Sequence, residues 1–170
     1  MEKKIDRLID VCSRLQEQRI SFAWGASVLL YFSSLVTSFG DLDLFVNDQD
    51  MPKVLHALRD LGPLDESKKK EPYRTRSFYT LNAEGVSIDV MGGFAVCQGE
   101  QIAEVYISAD AIEREYLWGD VLIPLMYLED WLVFYRLMGR LDKVALLEEH
   151  FKKHRPSTRT GIVYRRGIYE

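Results

Sequence analysis

Gly40-Asp41-Leu42-Asp43-Leu44-Phe45-Val46 is the stretch on which the reading of this chain turns. Leu42, Leu44 and Val46 fall on one face of an extended strand, and Asp41, Asp43 and Phe45 on the other. The two carboxylates therefore project from one face, about 7 Å apart along the chain. Aspartate is depleted in strands and costly to bury unpaired. A third aspartate repeats the pattern in Val86-Ser87-Ile88-Asp89-Val90-Met91, where Asp89 lies opposite an apolar face. Hard divalent cations relieve the cost of such a set. Mg²⁺ takes carboxylate oxygens, keeps several waters and completes its octahedron with substrate phosphates. Two such ions about 3.5–4 Å apart clamp the attacking and leaving oxygens of a phosphoryl transfer.

Upstream, apolar residues recur at helical spacing and predict an amphipathic helix over 3–18. A short extended piece over 20–24 follows, then Gly25-Ala26-Ser27 opening a helix over 27–36, which Ser38-Phe39-Gly40 breaks. A helix start behind a glycine offers free N–H groups and the positive end of the dipole, a natural phosphate seat, and Ser27 adds a hydroxyl. Downstream, a helix is predicted over 51–61, with Asp50 as N-cap, Pro52 in its first turn and Gly62-Pro63 past its end. Residues 65–71 read as a charged loop, with Lys68-Lys69-Lys70 solvated. Strands are predicted over 73–81 and 85–91, joined by a turn at 82–84, and near 103–107 and 121–125. Residues 128–151 read as one long helix or a pair interrupted near Gly139. The expected fold is α/β: one domain over 1–151 with a mixed β-sheet flanked by helices and ending in C-terminal helices. A tail over 152–170 follows.

The chain has 170 residues, 47% hydrophobic and 28% charged, which excludes a disordered chain, a collagen-like fibre and a coiled coil. No apolar run reaches the roughly 18 residues of a membrane span, and the start does not read as a signal peptide. Cys12 and Cys97 read as small core residues, too few for a disulfide framework. These features predict a cytoplasmic protein. The net charge of −4 divides unevenly: the tail carries six bases and one acid, +5, leaving −9 on the body. The tail would trail into solvent, pack on that acidic body or meet a polyanion.

The order of parts, Gly25-Ala26-Ser27 at a helix start, then Asp41-Leu42-Asp43, then Asp89 in a later strand, resembles the nucleotidyltransferase superfamily with the DNA polymerase β-like fold. The segment from Leu128 through Arg136 and Gly139-Arg140 is similar to the C-terminal helix of its small bacterial branch. That branch includes antibiotic nucleotidyltransferases and nucleotidyltransferase-type toxins and antitoxins. The resemblance spans residues 22–150. It implies that Asp41, Asp43 and Asp89 hold Mg²⁺ or Mn²⁺, two ions in all, with Asp89 as general base or metal ligand for an acceptor hydroxyl. Gly25, Ala26 and Ser27 would face the triphosphate of an NTP donor. The product would be a nucleotidylated acceptor (a small molecule, RNA or protein) plus pyrophosphate. Ala26 stands where the family has a second Gly or Ser, and Asp142 precedes Lys143 where relatives place the Lys first. Arg74, Arg76, Arg136, Arg140 and Lys143 are candidates, on charge, for neutralising the pyrophosphate. The alternative is a catalytically weak member of the fold acting as a toxin–antitoxin-type partner. The small size also points to a homodimer or a partner chain completing the cleft.

Other chemistries fail on residues. Counting from Asp41, a calcium loop would need Gly at Val46 and Glu at Pro52. His150 and His154 are four apart, without the Glu of a zinc protease motif between them. The chain has no G-x-S-x-G, no P-loop and no G-x-G-x-x-G. A sugar-nucleotide transferase needs a larger nucleotide-binding domain, and an aspartate-nucleophile phosphatase needs an apolar strand where Ser38-Phe39-Gly40 stands.

Overall fold

The computed structural model describes residues 1–167. Helix α1 (Glu2–Glu17) buries Ile5, Leu8, Val11, Cys12 and Leu15, the stripe its spacing predicts. It ends on a left-handed residue, Arg19 (φ 55°), with the Ile20 N–H bonded to the Leu15 carbonyl at 3.0 Å. Helix α2 (Ala26–Phe32) ends the same way: Ser34 has φ 61° and the Leu35 N–H reaches the Leu30 carbonyl at 2.9 Å. This cap stops α2 short of the expected Val36, because Ser33-Ser34 favours the turn over another helical turn. Helix α3 (Met51–Leu58) runs on into a 3₁₀ turn at Arg59–Leu61. Helices α4 (Leu128–Met138) and α5 (Leu141–Lys153) are a pair, divided at Gly139 (φ 72°). No helix among the described residues is long and apolar enough to cross a membrane.

Among the described residues ten strands form two sheets. They are β1 (Phe22–Trp24), β2 (Leu42–Val46), β3 (Leu64–Glu66), β4 (Ser77–Ala83), β5 (Val86–Gly92), β6 (Ala95–Gln98), β7 (Gln101–Val105), β8 (Ile112–Trp118), β9 (Val121–Met126) and β10 (Ile162–Arg166). The main sheet has the order β3-β4-β5-β2-β1-β9-β8 and the small one β10-β7-β6. The main sheet is mixed, with β2 parallel to β5, β1 parallel to β9, and its other pairs antiparallel.

The β2–β5 register settles the two faces of the sheet. Leu42 pairs with Ile88 and Leu44 with Val90, and all four are fully buried in the core shared with α1 and α3. Asp43 pairs with Asp89 on the opposite face, where α4 closes over an aromatic cluster. Trp131 of α4 lies 5.4 Å from the Phe45 ring and 5.7 Å from the Phe94 ring. Buried Asn47 ties the end of β2 to the chain beyond β7: its amide donates to the Ile107 carbonyl (2.9 Å) and accepts from the Ile107 N–H (2.8 Å).

Four strands lie where the sequence predicts none. β3 occupies part of the expected loop over 65–71, an exposed edge that pairs with β4 through backbone alone. β6 and β8 are likewise short or exposed, so they lack the alternation that signals a strand. β10 lies in the basic tail and pairs with β7. Arg165 meets Glu104 at 2.7 Å and Arg166 meets Glu100 at 2.8 Å, so this part of the tail packs on the acidic body. Asp130, 1% exposed, accepts hydrogen bonds from the Thr160 hydroxyl and from the Gly161 N–H (2.8 Å). Asp130→Ala strands both donors and should cost about 2 kcal/mol. The melting temperature should fall by roughly 4–8 °C, and limited proteolysis should cut at 154–160 before it touches the body.

Candidate active site

A cleft of about 510 Å³ opens on the aspartate face. Asp43 lies half-buried on β2 with Asp89 beside it on β5, and Asp41 is exposed just before β2. Asp89 accepts a hydrogen bond from the Thr80 hydroxyl (3.1 Å), which itself shares one with Ser67 (2.7 Å). Burial, reinforced by the charges of Asp89 and Asp41, pushes the Asp43 carboxyl up to about 8. Burial also raises Asp89, the Thr80 hydrogen bond pulls it back, and Asp41 raises it further. The hydroxyls of Tyr73 and Tyr135 are raised by burial and by Asp43, with Arg140 opposing. These side chains share one electrostatic environment.

The glycine turn is fixed against β2. The Gly25 N–H points to the Asp43 carbonyl (3.5 Å) and the Ser27 hydroxyl to the Asp41 carbonyl (3.3 Å). Ala26 between them has φ 49°, a left-handed conformation that costs an alanine about 1–2 kcal/mol and a glycine nothing. Ala26 and Ser27 line the cleft. Gly25 lies under Trp131, with no room for a Cβ.

The charged candidates separate. Arg140, which meets Asp142 at 3.6 Å, and Lys143, both at the α4–α5 junction, line the cleft. Arg74 is paired with Glu71 at 2.7 Å, Arg136 with Glu148 at 2.9 Å, and Arg76 packs over Gly93 in a second cleft beside Asn47 and Tyr106. The strand expected over 73–81 begins only at Ser77, and in the irregular chain before it Tyr73 and Thr75 line the site while Arg74 and Arg76 do not. Lys68, Lys69 and Lys70 line the same cleft, although as a charge run they carry no periodic signal. Sequence reasoning also missed Thr80, Tyr73 and Tyr135. The helical spacing of Tyr135 from Trp131 was the available signal; Tyr73 lies outside any strand and carried none.

Among the described residues no three His, Cys, Asp or Glu side chains converge as a ready-made ion cage. The donor set still suits Mg²⁺ or Mn²⁺, because Mg²⁺ sites need only one or two carboxylates and take the rest from phosphates and water. Asp43, whose carboxyl is raised by burial and by the charges of Asp89 and Asp41, offers such carboxylates together with Asp41, with Asp89 beside it.

No protein-family model matches the chain, and no curated protein is similar to it in sequence. Solved structures do match. A Thermotoga maritima protein proposed to be a nucleotidyltransferase superposes with a TM-score of 0.68 at 14% identity, over 91% of this chain and 96% of that one. ANT(2″)-Ia, in complex with adenylyl-2″-tobramycin, gives 0.59 at 8% identity over 88% and 90%. The lincosamide antibiotic adenylyltransferase LnuA, lincomycin-bound, gives 0.56 at 16% identity over 87% and 96%. With its mixed sheet, its aspartates on adjacent parallel strands and its glycine turn, the chain has the fold of the nucleotidyltransferase superfamily.

Proposed function

We propose that this protein is a metal-dependent nucleotidyltransferase, moving a nucleoside monophosphate from an NTP to a hydroxyl acceptor and releasing pyrophosphate. The observation that carries the reading is the register pairing of Asp43 with Asp89, with Asp41 and, from the glycine turn, Ala26 and Ser27 lining the same cleft. Asp41 and Asp43 would hold Mg²⁺ or Mn²⁺, with Asp89 alongside. The bound cation supplies charge neutralisation of the phosphates.

The chain's own residues do the rest. Thr80 occupies one oxygen of Asp89 and orients the carboxylate, leaving the other to take the proton of the acceptor hydroxyl. A raised pKa makes Asp89 a better proton acceptor. The acceptor oxygen bonds to the α-phosphorus as the bond from α-phosphorus to the bridging oxygen breaks, and pyrophosphate leaves with that electron pair. Ser27 offers a donor to the phosphates, and Arg140 and Lys143 offer positive charge to the leaving group.

Incubation with α-labelled NTPs, Mg²⁺ or Mn²⁺ and a panel of hydroxyl acceptors should give a labelled product that Asp41→Asn removes. Absence of label, absence of NTP binding by calorimetry and indifference to Asp41→Asn would together overturn the reading.

A further inference from the structure

The cleft is lined by more cations than carboxylates. Lys68, Lys69, Lys70, Arg140 and Lys143 line it together with three aspartates, so five cations face three carboxylates. None of the aspartates is ion-paired with a lysine or arginine among the described residues, and neither are Lys68, Lys70 and Lys143. Lys69 is different, since its ammonium donates to the Arg76 carbonyl at 2.7 Å and pins the loop.

The cations fall in two places. Arg140 and Lys143 belong to the α4–α5 junction. The lysine loop belongs to the Asp89 side, as a chain of hydrogen bonds shows. Ser67, next to Lys68, shares a hydrogen bond with Thr80 (2.7 Å), and Thr80 donates to Asp89 (3.1 Å). The sheet order β4-β5-β2-β1 then sets the lysine loop and Asp89 at one side and the Gly25–Ser27 turn at the other. If Asp89 takes the acceptor's proton, the lysines stand beside the acceptor and not beside the triphosphate.

We propose that the hydroxyl acceptor carries phosphate, held by Lys68 and Lys70 beside Asp89. This rests on the transferase reading above. A polycationic acceptor would meet like charge from the lysine loop, whereas a phosphate-bearing one finds two ammonium groups with no ion-pair partner among the described residues.

The test fills the donor site with a non-hydrolysable ATP analogue and Mg²⁺, then titrates three probes: a short oligoribonucleotide with a free 3′-hydroxyl, ribose 5-phosphate, and the polyamino sugar kanamycin. Calorimetry follows the analogue and fluorescence anisotropy the labelled oligonucleotide, with the other two as competitors. A phosphate-bearing probe should bind, and Lys68→Ala/Lys70→Ala should weaken it at least tenfold while the analogue's affinity stays within twofold. For the oligonucleotide, the slope of log affinity against log salt should shrink by about 1.4, two single-strand phosphate contacts. Binding of the oligonucleotide alone assigns the acceptor to nucleic acid, and binding of both assigns it to phosphate esters generally. Lys68→Glu/Lys70→Glu should reverse the preference toward kanamycin. The proposal is overturned if neither phosphate probe binds, if kanamycin binds the native cleft in their place, or if the double alanine variant weakens the analogue instead. Lysine-dependent phosphate binding without any binding of the analogue would keep the anion site and sink the transferase reading.

Discussion

Asp43→Asn should abolish nucleotidyl transfer, by about a thousandfold or more, and at the same time stabilise the metal-free protein. The two effects share a cause. Asp43 sits on a sheet face beside Asp89 and near Asp41, and burial with those charges raises its carboxyl from 3.8 to about 8. Between about pH 4 and 8 the folded state therefore holds a proton that the unfolded chain has lost. Unfolding releases that proton, so stability falls as pH rises through this window, by up to about 1.4 kcal/mol per unit. Asparagine does not titrate and escapes the penalty. Solvent screens the half-buried carboxylate, so near pH 7 to 8 the variant should gain about 2 kcal/mol of that limit, a melting temperature roughly 4–8 °C higher. Near pH 4 the two proteins should converge. The same proton must leave before Asp43 can hold a cation. Mn²⁺ affinity of the native protein should rise with pH to about 8 and then level off, with proton release visible by calorimetry in buffers of different ionisation heat. A variant less stable than the native protein at pH 8 without metal would mean that charge crowding does not govern this site.

How much of this was legible in the sequence depended on periodicity. The alternation at Leu42–Val46 and Val86–Met91 gave both faces of the two central strands, because each strand has one buried side. The stripe of α1 was readable for the same reason. What escaped was structure held by backbone or by distant pairing. β3 and β8 are edge strands with exposed side chains, and β10 is held by its partner β7 and by Asp130, contacts that no local pattern records. The site divides the same way. The aspartates and the glycine turn stood out as costly or special residues. Lys68–Lys70 looked like an ordinary charged loop, and only the Ser67–Thr80–Asp89 hydrogen bonds show which side of the cleft it serves. Arg74 and Arg76 are candidates by charge and by alternation on an expected strand, but that strand starts only at Ser77, and Tyr73 and Thr75 line the cleft instead.

Gly25→Ala should destabilise the protein by about 3 kcal/mol, toward the upper end for overpacking, and lower its melting temperature by roughly 6–12 °C. Backbone strain is not the reason: Gly25 has φ −135° and ψ −161°, extended values open to any residue. The obstacle is the indole of Trp131, whose Nε1 would lie 2.5 Å from an added Cβ, with Cε2 and Cζ2 at 2.7 Å. Trp131 has nowhere to retreat. It is 2% exposed, stacked on Phe94 and flanked by Phe134 and Tyr135 at 5.3 and 5.2 Å. The turn must give way, and with it the Ser27 hydroxyl and the Gly25 N–H that lean on β2 beside Asp41 and Asp43. Transfer should therefore fall along with stability. Trp131→Phe removes the atoms that clash, at the cost of a cavity and of the indole N–H bond to the Met126 sulfur (3.4 Å). If the clash is the cause, Gly25→Ala/Trp131→Phe should be more stable than the sum of the two single effects allows, by about 1–2 kcal/mol. Strict additivity in that cycle would place the role of Gly25 elsewhere. Ala26→Gly is the control one residue on. There the backbone is left-handed, so the glycine should raise stability, where the alanine at 25 lowers it.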